Sequence, residues 1–234
     1  MKGTFYLIPC PITDGKDDSV IPLGTASFAL RCKYFLVENV KQARRYLKTL
    51  DRDVDIDSFT FYAMGKHAEI EEMTQAILRL QEGYDLGMIS DAGCPAVADP
   101  GWEAVQRAQE MGITVKPLVG PNSILLTLMA SGLNGQQFSF HGYLPIDKKE
   151  RSHALKSMGQ DSQRTGITHL FMDTPFRNER LFNDVLDNCS SELRLCLAQD
   201  VTGTEEWIKT KSILDWKKSK PTFKKLPMMM ALGH

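Results

Sequence analysis

Between Thr4 and Val119 short apolar runs alternate with stretches whose apolar residues recur every three or four positions. That alternation constrains the fold more than any other feature. A strand followed by a helix and another strand in one compact unit gives parallel pairing, because the crossover needs a helix to return the chain to the same end of the sheet. Thr4–Ile8, Lys33–Glu38, Phe59–Met64, Leu86–Ile89 and Thr114–Val119 read as strands, and Val40–Leu50, Ala68–Gln81 and Trp102–Met111 as helices. Within Ala68–Gln81, Ile70, Met73, Ile77 and Leu80 mark one helical face, and Gly83 stops the helix. Ser19–Gly24, with Pro22 and Gly24, reads as a loop.

A second αβ series follows. Gly120-Pro121-Asn122-Ser123 opens a helix over Ile124–Ser131. Strands fit Gln137–His141, Thr168–Met172, Leu193–Gln199 and Met228–Leu232, and helices fit Lys148–Ser157 and Asn178–Asn188. No internal repeat or low-complexity linker interrupts the chain. The expected division is an N-terminal α/β domain over 1–117, carrying a loop at 88–101, and a C-terminal α/β domain over 118–234.

Bulk properties narrow the function. The 234 residues are 42% apolar and 24% charged, an ordinary globular mix. No apolar run approaches a membrane span, and Pro9 and Pro11 interrupt the short apolar start, which fits a strand better than a signal peptide. Cys10, Cys32, Cys94, Cys189 and Cys196 are scattered, odd in number and without CxxC spacing, so no metal site is expected and a reducing cytoplasm is. A net charge of −1 gives no global attraction to nucleic acid.

The loop Met88–Gly101, MISDAGCPAVADPG, is long, tight and polar for a strand-to-helix turn. Ligands of open α/β sheets sit beyond the carboxyl ends of strands. Small residues there let backbone approach a ligand, and Asp91 and Asp99 accept hydrogen bonds from hydroxyl or ammonium groups. The plainer reading is a turn shaped by Gly93, Pro95 and Pro100, with Asp99 capping the next helix. Gly120–Ser123 and Ile8-Pro9-Cys10-Pro11 are similar strand ends, and a plain cap also accounts for the first of these. GxGxxG, GxxxxGK[ST], HExxH and GxSxG are all absent, which removes the main support for a dinucleotide dehydrogenase, a P-loop NTPase, a zincin and an α/β-hydrolase.

Taken in order, YLIPCPI, VENVKQARRYL, MISDAGCPAVADPG, PLVGPNSILLTLMASGL, FSFHGYLP and LFMDTPFRNERL form a specific set running from residue 6 to about 181, and LCLAQDVTGTEEWIKT fits a later strand and loop. The chain resembles the class III S-adenosylmethionine (SAM) methyltransferases, the tetrapyrrole methylase family. Within them it is most similar to the ribosomal RNA small subunit methyltransferase I branch, which methylates a cytidine ribose 2′-hydroxyl. The resemblance implies two α/β domains, a mostly parallel N-terminal sheet and a mixed C-terminal sheet, with SAM in the cleft between domains. It places the cofactor against Pro9, Asp91, Ala92, Gly93, Val97, Asp99, Asn122, Ser123, Met172 and Ala198. It also implies a homodimer and small-subunit ribosomal RNA as partner; methyl transfer from a sulfonium itself needs no metal, and the lack of a long apolar run points away from a membrane.

Methyl transfer to a ribose hydroxyl needs an oriented acceptor, exclusion of water and a base. Glu38, after the second strand, and His67, after the third, are the candidate bases. A surface ion pair with Lys41 accounts equally well for Glu38, and a helix N-terminal position for His67. The chain departs from the branch in just these regions. A-E-D-T-R becomes Val37-Glu38-Asn39-Val40-Lys41, Y-H-E-H-N becomes Ala63–His67, E-S-P-H-R becomes Asp173–Arg177, and TDGKDD (Thr13–Asp18) lengthens the first loop. The SAM loops agree better than the acceptor segments.

Local charge favours RNA mildly. Lys148, Lys149, Arg151 and Lys156 form one basic cluster, with Lys148, Lys149 and Arg177 the expected substrate contacts; Lys41, Arg44 and Arg45 form another. A third contains Lys209, Lys211, Lys217, Lys218, Lys220, Lys224 and Lys225, interleaved with Trp207, Trp216 and Phe223. Solvated helix faces and core aromatics account for the same residues. Three functions follow: a SAM-dependent RNA ribose methyltransferase, a SAM-dependent methyltransferase for a small molecule such as a tetrapyrrole, and a non-catalytic RNA-binding factor that keeps the fold.

Overall fold

A computed structural model of the chain describes residues 1–13, 20–64 and 70–234. These form two compact units, Met1–Asn122 and Ser123–His234.

In the first unit β1 (Thr4–Leu7), α1 (Leu23–Arg31), β2 (Tyr34–Val37), α2 (Val40–Leu50), β3 (Thr60–Ala63), α3 (Ile70–Gln81), β4 (Leu86–Ile89), α4 (Trp102–Glu110) and β5 (Thr114–Pro117) follow in order. The strands pair in parallel in the order β3-β2-β4-β1-β5. Alternate residues of one strand enter opposite cores, as the strand period of two requires. Phe35 and Val37 face one side with Ala29, Ala43 and Leu47 of α1 and α2. Leu36, between them, faces the other side with Ala76, Leu80, Ala104 and Ala108 of α3 and α4. Each fully buried Leu or Phe contributes about 1.5–3 kcal/mol, so covering both faces makes the parallel sheet stable.

The second unit comprises α5 (Ser123–Ser131), β6 (Phe138–Tyr143), α6 (Lys148–Thr165), β7 (Thr168–Asp173), α7 (Asn178–Asn188), β8 (Arg194–Gln199), β9 (Trp207–Ser212), α8 (Ile213–Lys218) and β10 (Met228–Gly233). Its sheet is mixed, in the order β6-β7-β10-β8-β9. β6 and β7 are parallel, and β10 inserts antiparallel to both β7 and β8. Leu195, Leu197, Met228 and Met230 pack under α6, α7 and α8, while Cys196, Ala198, Met229 and Ala231 pack against α5.

Four elements differ from the sequence reading, one of them the short helix α8, which it did not anticipate. α1 begins at Leu23, inside the expected loop; Pro22 is its N-cap, and proline is tolerated where the backbone N–H needs no helical partner. β9 was hidden by its alternating lysines, which suit an edge strand. α6 continues past Ser157 to Thr165 through the polar run Gly159–Thr165, because Met158 and Ser162 are buried by tertiary packing.

Candidate functional site

All strands of the first sheet point the same way, so the segments after β1, β2, β4 and β5 emerge at one edge. Hydrogen bonds knit them together. Cys10 N–H donates to Gly93 O at 2.9 Å and Gly93 N–H returns to Cys10 O at 3.2 Å. The Cys10 thiol lies 3.1 Å from Ser90 O, and burial pushes that thiol up to about 12, so it stays a neutral donor. Tyr46, buried on α2, donates its hydroxyl to Pro9 O at 2.8 Å. Cys94 Sγ reaches Pro121 O at 3.5 Å, and Thr25 of α1 donates to Val119 O at 2.6 Å.

Two glycines allow this convergence. Gly93 has φ 68°, the left-handed region that side chains disfavour. Gly120 lies flat on Pro9; a β-carbon there would sit 2.3 Å from Pro9 Cβ, an impossible overlap. The loop also holds Ala96 and Ala98 at φ 63° and 62°. Left-handed alanines are uncommon and cost about 1–2 kcal/mol each. The loop therefore keeps a shape that its own residues do not favour, held by the contacts to Cys10 and Pro121.

This loop presents Asp91, Ala92 and Val97 to solvent and keeps Asp99 half-buried. Asp99 does not cap α4: that N-cap is Gly101, without a side-chain cap, and the Asp99 carboxylate bonds Ser90 instead. Glu38 makes no ion pair with Lys41; its Oε2 accepts from Asp91 N–H at 3.2 Å. Three carboxylates thus meet at the sheet edge. Burial pushes Asp99 up to about 6, and the Glu38 charge adds to the effect. Burial also raises Glu38 and Asp91 above the ordinary carboxylate range. Among the described residues no cation forms an ion pair with any of the three. Such a site favours a ligand carrying positive charge and hydroxyl donors, and disfavours a phosphate.

The other expected residues are dispersed. His67 lies outside the described residues. Asn122 ends the first unit, and Ser123 begins α5 in the second; both are half-buried. Met172, half-buried on β7, and Ala198, buried on β8 between Met229 and Ile208, also belong to the second unit. Lys148 and Lys149 occupy the exposed first turn of α6. Arg177 is tied back to Asp173 at 2.6 Å and to Thr174 Oγ1 at 3.1 Å. In the C-terminal basic cluster Trp216 is a core residue that donates to Leu195 O, and Trp207 and Phe223 pack against the same core. A cavity of about 450 Å³ lined by Gln199, Glu205, Trp207 and Lys224 includes none of the expected site residues.

Sequence reasoning missed Tyr46, whose helical spacing marks it only as a core position. It also left unexplained the departure at Asn39. Asn39 is the N-cap of α2, accepting from Lys41 N–H at 3.0 Å and Gln42 N–H at 3.2 Å. An aspartate caps a helix equally well, so the exchange preserves the local structure that sets Glu38.

No family model matches the chain. Curated relatives do. "Ribosomal RNA small subunit methyltransferase I" of Pseudomonas aeruginosa is 33% identical over 208 residues, 89% of this chain and 70% of that protein. The protein of the same name from Escherichia coli is 30% identical over all of this chain and 79% of its own length. The one from Halalkalibacterium halodurans is 33% identical over 79% of this chain and 60% of its own length. The chain thus spans less than two thirds, 60 to 66%, of some relatives it matches. Among solved structures, the methyltransferase CobJ aligns over 100% of this chain and 95% of its own, with TM-score 0.62 and 17% identity. Uroporphyrin-III-C-methyltransferase from Thermus thermophilus aligns over 100% and 93%, with TM-score 0.57 and 16% identity. At such identities these two show a shared fold.

Proposed function

Because the chain belongs to the ribosomal RNA small subunit methyltransferase I family, we propose that it transfers a methyl group from SAM to a ribose 2′-hydroxyl of small-subunit ribosomal RNA. The observation that carries this reading is the carboxylate-rimmed loop 90–101, bonded to the end of β1 and packed against the turn that Gly120 permits. SAM carries an ammonium, a sulfonium and ribose hydroxyls. Glu38, Asp91 and Asp99, raised by burial and without a cation partner among the described residues, fit those groups. Asp91 and Asp99 would hold donors of the cofactor, Ala92, Gly93 and Val97 would give it a close surface, and Pro9 with the Gly120 turn would wall it. Asn122, Ser123, Met172 and Ala198 complete the proposed cofactor set. When bound, SAM supplies an electrophilic methyl on a sulfonium centre.

Glu38 is the proposed general base. Its carboxylate accepts a hydrogen bond from Asp91 N–H, and burial raises its proton affinity, which suits a general base. With SAM bound, Glu38 would take the hydroxyl proton as the ribose oxygen gained the methyl and the cofactor left as its thioether. His67 is retained as a second proposed base. Lys148, Lys149 and Arg177 are the proposed substrate contacts. A homodimer and a cytoplasmic location complete the proposal; among the described residues no helix is long and apolar enough to cross a membrane.

The test is transfer of labelled methyl from SAM to unmethylated small ribosomal subunits. Label in RNA that resists alkaline hydrolysis at one linkage is the expected result, because 2′-O-methylation removes the hydroxyl that cleaves the strand. Absence of label from RNA, or label entering a tetrapyrrole instead, overturns the reading.

A further inference from the structure

The second unit carries an exposed apolar surface that the cofactor site does not use. Phe176 is 79% exposed, Ile146 71% and Tyr143 58%. Tyr143 ends β6, and Ile146 lies three residues beyond it; Phe176 lies three residues beyond the end of β7. β6 and β7 are parallel neighbours with Tyr143 opposite Met172, so these groups emerge side by side at one sheet edge.

Their exposure is built in. Arg151, only 3% exposed, donates Nη1 to Pro145 O at 2.9 Å and to Ile146 O at 2.7 Å, and Nε to Asp184 Oδ2 at 2.7 Å. Arg180 of α7 donates to the same Ile146 O at 3.0 Å. The loop backbone is thus clamped to α7 while the Ile146 side chain points away. The turn Pro175–Arg177 is pinned likewise by Arg177 to Asp173 and Thr174, leaving the Phe176 ring outside. Large apolar groups held rigidly in water mark a binding surface.

Charge selects the occupant. Lys148, Lys149 and Lys225 are exposed and make no ion pair among the described residues, although Glu150 and Glu179 are also exposed, in the first turns of α6 and α7. Lys225 Nζ sits 5.4 Å from the centre of the Phe176 ring. The ammonium lies over one face of the ring, and the ring is otherwise 79% exposed, so a base stacks on the opposite face while its phosphate pairs with Lys225. Duplex RNA offers no free base face to such a ring.

We propose that Phe176, with Lys225, Tyr143, Ile146, Lys148 and Lys149, is a stacking platform for an unpaired nucleotide of single-stranded RNA. This rests on the reading of the chain as an RNA methyltransferase and names where that RNA is held.

The test measures anisotropy of a fluorescein-labelled single-stranded oligoribonucleotide bound to the full chain, with a duplex of the same sequence alongside. Phe176→Ala is expected to weaken single-strand binding on the order of tenfold, within the range of one lost base stack, and Phe176→Trp to restore it. Lys225→Gln is expected to flatten the slope of log K against log salt by ~0.7, one single-strand phosphate contact. SAM affinity should be unchanged in all three variants. Unchanged RNA affinity in Phe176→Ala overturns the platform, as does a mass change in light scattering that shows this face to be an interface between two copies. If wild type labels RNA and Phe176→Ala does so with unchanged KM, the platform fails and the function stands. If wild type labels no RNA while binding remains sensitive to Phe176, the function fails and the platform stands.

Discussion

Asp99→Asn should stabilise the protein while impairing it. Asp99 is held at about 6, against an ordinary value of 3.8, by burial and by the Glu38 charge. Between those values the folded chain holds more protons than the unfolded chain, so stability falls as pH rises through the window and stays low above it. Two pKa units correspond to about 3 kcal/mol at full weight. Asp99 is only half-buried, and solvent screening reduces this to about 1–2 kcal/mol. Asparagine cannot ionise, yet it keeps an oxygen for Ser90. The variant should therefore match wild type near pH 4 and exceed it by about 1–2 kcal/mol at pH 7 and above, a rise in Tm of about 3–6 °C for a chain of this size. Thermal melts across that pH range measure the difference, and calorimetry with SAM should show weakened binding at pH 7. For wild type, affinity should fall as pH drops below about 6 and then level off, as the protonated carboxyl stops attracting a cation. A variant destabilised at every pH, or a difference that ignores pH, would refute both the charge strain and its assignment to Asp99.

Glu38→Gln should lower kcat on the order of a hundredfold or more with little change in SAM affinity, the signature of a lost base; a raised KM with unchanged kcat would point to a binding role. Tyr46→Phe leaves the Pro9 carbonyl without its donor and should cost about 1–3 kcal/mol in denaturant unfolding, weakening SAM binding as well. Arg151→Leu leaves the buried Asp184 carboxylate to the more distant Arg180, at 4.0 Å, and loosens the 145–147 loop, with an expected loss of up to about 3–5 kcal/mol, whereas Arg151→Leu combined with Asp184→Leu should recover much of it.

Much of the architecture was readable from local pattern. Short continuous apolar runs mark β2, β4 and β8, which are buried on both faces, and a period near 3.6 gives α2, α3 and α7 one apolar face each, so element type and order follow from nearest neighbours along the chain. The small, polar segments after β1, β4 and β5 announced loops suited to a ligand. Tertiary structure alone decided what those loops do together. Strand order brings Glu38 to Asp91, 53 positions away, and Cys10 to Gly93, 83 away. Neither residue type nor spacing records that pairing, because sheet register depends on which apolar runs pack side by side. The left-handed Ala96 and Ala98, the turning of Asp99 to Ser90 instead of to α4, and the clamp of Arg151 on the 145–147 loop arise in the same way. Each is locally unfavourable or locally neutral, and each is held by contacts between segments distant in the chain. A sequence pattern reports what a residue prefers, whereas the site consists of residues held by neighbours against or apart from that preference.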